Sequence, residues 1–176
     1  MKNLKTYILA LTFASMAFGC ADKLDVVNPN NQTAADFWTT ENSIAEGVIG
    51  IYNRLIVDGY YARMTPSLID VRGDDVWSES PWTIYPLSGD FTVLNDYDVL
   101  TWLWREYFMQ VYRANIVLKY IDDINFTDND YKNRLKGQAL FLRALAYYNI
   151  AENYETAPLL RAVPNGEDEF YPTSAN

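Results

Sequence analysis

Apolar residues recur at helical spacing in three stretches of the chain and lose their periodicity in a fourth. In the first stretch, Ile44, Val48, Ile51, Tyr52, Leu55 and Ile56 follow one another mostly three or four positions apart, which predicts a helix with one buried stripe. Thr39 or Thr40 starts it, and Asp58-Gly59 is the stop signal. A short turn precedes it, opened by Thr33 with Asp36 at capping-box spacing and closing near Trp38. In the second stretch, Leu100, Leu103, Tyr107, Val111, Ala114, Leu118 and Ile121 predict a helix from about Asp98 to Asp122. Trp102, Trp104, Phe108 and Tyr112 share that helix and, with Tyr107, read as core.

The link Ile124-Asn125-Phe126 is short, so the third helix must turn back antiparallel to the second. Thr127 and Asp130 have the spacing of its capping box, and it runs to about Tyr154, with Pro158 ending it. Between Ala139 and Ala151 only Arg143 and Asn149 are strongly polar, which predicts burial on nearly every side. Arg143 then pairs with an internal acid or caps carbonyls, because a buried charge needs a partner. Ala139, Ala144, Ala146 and Ala151 let neighbouring elements approach closely.

From Tyr60 to Tyr97 the helical pattern vanishes. Pro66, Pro81, Pro86, Gly73 and Gly89 break this stretch into loops, with room for very short strands. Loops of this length inside a compact domain usually serve a function. Asp74 and Asp75 with Glu79 could be a glycosidase pair, but such carboxylates face each other across roughly 5 to 10 Å. Neighbours in an extended loop point to opposite sides, so a solvated turn, or contact with carbohydrate or calcium, fits Asp74 and Asp75 better. Trp77, Trp82 and Tyr85 carry two readings. They form a platform for the apolar faces of sugar rings, or they pin the loop onto the helices.

The start of the chain is a different kind of sequence. Lys2 and Lys5 precede an apolar run from Tyr7 to Phe18, and Ala17-Phe18-Gly19 leads to a cleavage point, so residues 1–19 read as an export signal. The run is shorter than the roughly 20 apolar residues a membrane-spanning helix needs. Cys20, the only cysteine, would then be the first mature residue, a lipobox arrangement in which it carries a thioether-linked lipid and an acyl chain such as palmitate. Phe18 departs from the small residue usual there. The alternative is an ordinary secretory signal with an incidental cysteine. Residues 20–32 form a polar tether, and two or three acyl chains on Cys20 would anchor the protein durably.

Removing residues 1–19 leaves 12 basic and 23 acidic residues, a net charge of −11. Nucleic acid and anionic lipid head groups are therefore poor partners. The chain has no histidine, which removes the commonest general base and metal ligand, and no thiol beyond Cys20. No metal or cofactor is indicated.

The segment Gln138 to Asn149 reads Gln-Ala-Leu-Phe-Leu-Arg-Ala-Leu-Ala-Tyr-Tyr-Asn, and Tyr154 to Leu160 reads Tyr-Glu-Thr-Ala-Pro-Leu-Leu. Together they resemble the hallmark of the SusD/RagB family. Trp104 to Tyr107, Tyr112 and Ala114-Asn115 fit the family's preceding helix, and Leu24-Asp25-Val26, Pro29 and Asn31-Gln32-Thr33 fit its start after the lipobox. Glu155 stands where the family usually has glycine. The resemblance implies an all-α, tetratricopeptide-like helical scaffold interrupted by the long aromatic and acidic loop, with residues 33–176 as the N-terminal part of a larger fold. It also implies a non-enzymatic outer-membrane lipoprotein, surface-exposed, that captures glycans, or peptides in RagB-like members, for a SusC-like TonB-dependent transporter. Two other functions stay open: a repeat scaffold that binds only a protein partner, and a surface glycan hydrolase lacking a credible carboxylate pair.

Overall fold

A computed structural model describes residues 33–164. The signal, Cys20 and the tether lie outside the described residues. By compactness the chain divides after Asp36. Of the first unit only residues 33–36 are described, where Thr33 donates from its hydroxyl to the Asp36 carboxylate at 2.6 Å and accepts from the Asp36 N–H at 3.3 Å. They open the single turn α1 (Ala34–Phe37).

The second unit, from Phe37 on, is helical, and no strand occurs among the described residues. Helix α2 (Glu41–Tyr52) is capped by Thr40, whose hydroxyl accepts from the Ser43 N–H at 3.1 Å while Ser43 accepts from the Thr40 N–H at 3.2 Å. The helix ends six residues before the predicted stop. Its last turn tightens as Leu55 N–H reaches the Tyr52 carbonyl, and Arg54 turns inward to pair with buried Glu106. Gly59 explains the early exit: a Cβ there would lie 2.7 Å from Glu106 Cγ and 2.8 Å from Trp102 Nε1. The backbone must come this close to bring Tyr60 into the core.

The stretch predicted as loops and very short strands contains short helices instead: α3 (Met64–Leu68), a 3-10 turn (Asp70–Arg72) and α4 (Ile84–Gly89). Pro66 and Pro86 hid them from a sequence reading. Both sit in a first helical turn, where the missing N–H costs nothing. The Ser88 hydroxyl donates to the Leu68 carbonyl at 2.6 Å and ties α4 to α3.

Helices α5 (Asp98–Tyr120) and α6 (Asn129–Tyr154) form the antiparallel hairpin that the short link requires. Tyr154 donates to the Leu100 carbonyl at one end, Gln110 to the Leu142 carbonyl in the middle, and Lys136 pairs with Asp122 at the other. The α6 cap is Asp128, which accepts from the Asp130 N–H, rather than Thr127. Thr127 bonds Glu41 of α2 through its backbone N–H and hydroxyl.

Two core clusters result. Ile44, Val48 and Ile51 of α2 pack on Ala114, Val117 and Ile121 of α5 and on Leu135, Ala139 and Leu142 of α6. Tyr60, Met64, Leu68, Ile84 and Tyr85 pack on Leu103, Tyr107 and Ile150. Burying each of these larger side chains contributes about 1.5–3 kcal/mol. Three expectations about burial fail. Tyr52 and Ile56, placed in the first buried stripe, are 40% and 74% exposed. Tyr112 is 43% exposed, and α6 is not buried all round: Leu140, Phe141 and Tyr148 face solvent, Phe141 at 64%. The sequence carries no polar mark on that face, so composition alone could not separate it from the core.

Candidate functional site

Of the residues singled out in the loop, Asp74 and Asp75 lie exposed just beyond the 3-10 turn. Trp77 is also exposed, at 69%, and has no ring contact among the described residues. Trp82 is 58% exposed and Tyr85 only 8%, with their rings 5.9 Å apart. Tyr85 is thus a core residue. Arg63 organises this corner. Its guanidinium pairs with Asp58, donates to the Tyr85 hydroxyl at 3.2 Å, and lies 5.3 Å from the Trp82 ring and 5.4 Å from that of Trp102. The bond to Asp58 raises the Arg63 pKa further. Trp82 is held against a cation with much of its indole in water. No cluster of three or more His, Cys, Asp or Glu suited to a metal occurs among the described residues.

None of those five residues lines a cleft of about 780 Å³ at the α5–α6 end of the irregular stretch. Its lining joins Arg72, Asn95 and Thr101 to Trp104 of α5 and to Asn153 and Glu155 at the end of α6. A half-buried indole among guanidinium, carboxamide, hydroxyl and carboxylate groups suits a ligand with apolar faces and many hydroxyls. The Trp104 ring is braced by Tyr154, edge-on at 4.9 Å, and by Phe108 at 4.7 Å. Burial pushes the Tyr154 phenol up to about 12, so it stays a neutral donor to the Leu100 carbonyl. The Arg72 guanidinium lies 5.8 Å from the ring of Phe91, which is 72% exposed at a positive φ of 56°.

Glu155 sits at the helix exit with φ 62° and ψ −56°, and the Thr156 N–H reaches the Tyr154 carbonyl at 2.6 Å. This is a γ-turn of the strained, positive-φ kind. A residue with a side chain held there costs on the order of 1–3 kcal/mol. Sequence reading missed this cleft because its lining comes from four separated segments. The only local signal was the acid at position 155 where glycine is usual.

The segment beyond the helix is gripped by three side chains. Arg143 donates to the Arg161 carbonyl at 3.0 Å and to Asn115 Oδ1 at 2.8 Å. Asn115 donates to the Leu160 and Ala162 carbonyls, and the Tyr147 hydroxyl accepts from the Leu160 N–H at 2.6 Å. Arg143 therefore caps a carbonyl and meets no acid among the described residues. A second network holds the turn before α3: Asn149 donates to the Tyr60 hydroxyl at 2.9 Å and the Tyr61 hydroxyl at 3.1 Å. The residues that carried the resemblance are thus largely structural clamps.

A family model described as SusD-like, "Starch-binding associating with outer membrane", matches residues 22–173. The chain belongs to the SusD-like family. It is similar to SusD-like protein P25 of Formosa agariphila, with 24% identity over 168 residues, covering 90% of this chain and 31% of that protein. The chain thus spans about a third of the length of this curated relative. No solved structure matches it. Among the described residues, no helix is long and apolar enough to cross a membrane.

Proposed function

We propose that this SusD-like chain belongs to a non-enzymatic protein that captures glycans at the outer membrane and passes them to a SusC-like TonB-dependent transporter. A lipid on Cys20 would hold it at the cell surface. The family membership supports the reading, and the cleft around Trp104 is the structural observation that carries it. An indole brings a flat apolar face to a sugar ring, while Arg72 and Asn95 offer donors to its oxygens.

The test is a screen of the full-length protein against oligosaccharides and peptides by calorimetry, followed by Arg72→Ala. Arg72 is exposed and makes no ion pair among the described residues, so its loss should disturb the fold no further than its contact with the Phe91 ring. Glycan binding that weakens roughly 10-fold in the variant fits the loss of one charged hydrogen bond. Binding of peptides alone would sink the glycan reading in favour of a RagB-like one.

The exposed Trp82, fixed by Arg63, supports a second contact surface on the loop. Asp74, Asp75 and Trp77 are the polar and aromatic groups near it in sequence.

A further inference from the structure

We infer that Glu155 is a specificity-determining contact of the cleft, accepting hydroxyl hydrogens from a neutral sugar and discriminating against anionic glycans. The inference rests on the reading of the cleft as a glycan site.

Two independent observations converge on this residue. The first is conformational. Glycine occupies a positive-φ γ-turn without steric cost, yet this chain places a carboxylate-bearing residue there and retains the strain. The Glu155 side chain makes no hydrogen bond or ion pair with any described residue, so nothing among those residues compensates. Strain of this kind, where it persists, belongs with function.

The second is positional. Glu155 lines the same cleft as Arg72, Asn95, Thr101 and Asn153. The guanidinium only donates and the carboxylate only accepts, while amides and hydroxyl do both or either. Such a lining complements the paired hydroxyls of a neutral sugar, each of which donates one hydrogen and accepts up to two. One cation and one anion also balance the cleft's charge. Without Glu155, Arg72 would be an uncompensated positive group and would welcome a uronate or a sulfate ester.

The test uses the full-length protein, a panel of neutral gluco-, manno- and galacto-oligosaccharides, and uronate or sulfated counterparts. Glu155→Gly should raise the thermal midpoint, because strain is relieved, while neutral-glycan affinity falls roughly 10-fold with the charged hydrogen bond. Glu155→Gln should leave the midpoint nearly unchanged, lower neutral affinity, and shift the anionic-to-neutral ratio several-fold toward anionic ligands. A residue with only a structural role would not separate stability from affinity in this way. If Arg72→Ala weakens binding while both Glu155 variants bind like wild type, the cleft reading stands and the role of Glu155 is overturned. If the wild-type protein binds no member of the panel, both fall.

Discussion

Gly59 and Gly47 show how single residues set the close approaches of this fold. A Cβ at Gly47 would lie 2.6 Å from the Trp38 ring, which is itself stacked on Tyr120, and at Gly59 it would meet Glu106 and Trp102. Neither aromatic ring can yield cheaply in a packed core. Gly59→Ala should destabilise the full-length protein by about 1–3 kcal/mol, read as a lower urea midpoint at unchanged slope. An unchanged midpoint would show that Glu106 and Trp102 have room to move. Trp82→Ala and Trp77→Ala test the loop surface. If Trp82 stacks on sugar, its loss should weaken binding several-fold without lowering stability by more than about 1 kcal/mol. At this scale the sequence was legible where chemistry is local. A cap at Thr39 or Thr40, which proves to be Thr40, and Ile44, Val48 and Leu103 as core follow from spacing alone. Tyr112 and Thr127 did not, because their surroundings depend on which distant residue arrives: Glu41, 86 positions away, claims Thr127.

Between elements, polar side chains decide how the irregular stretch meets the hairpin. Asn149, nearly buried on α6, fastens both Tyr60 and Tyr61, whose rings stack at 4.4 Å. Asn149→Ala should cost about 1–3 kcal/mol, since it removes the donor from the buried Tyr60 hydroxyl. Amide hydrogen exchange should accelerate at residues 57–65 more than along α5, and uniform acceleration would contradict the local role. The hairpin itself was readable from apolar spacing and a short link. The short helices α3 and α4 were not, for they hold five or six residues with a proline each, and packing on Tyr107 and Ile150 stabilises them rather than intrinsic propensity. The cleft was illegible for a related reason: it exists only once those short helices are seated.

Taken whole, the molecule is acidic, rich in buried phenols and uncovered along one side of α6. Tyr60, Tyr107, Tyr147 and Tyr154 all hold their protons more tightly than free tyrosine, chiefly through burial, and Tyr154 titrates at about 12. An unfolded tyrosine titrates near pH 10, so the folded state binds protons more strongly above that pH. This stabilisation is complete below about pH 10 and is lost as pH rises toward and through 12. The thermal midpoint should therefore fall steadily from about pH 10 upward, and a flat profile to pH 12 would refute the burial of these hydroxyls. Exposed Phe141, Leu140 and Tyr148 form an apolar strip that favours self-association of residues 33–176 expressed alone. Replacing Phe141 and Tyr148 by Gln should raise the soluble monomer fraction in sedimentation without lowering the thermal midpoint.

The grip of Asn115, Arg143 and Tyr147 on the chain beyond α6 falls entirely on main-chain carbonyl and N–H groups of Pro158, Leu160, Arg161 and Ala162. Every amino acid presents the same carbonyl, so the hold is indifferent to the identity of the residues held. Substitutions other than proline at Leu159 and Arg161 should therefore leave these main-chain hydrogen bonds in place. The hairpin's side chains thereby set the position of this stretch, whatever chemistry its own side chains carry.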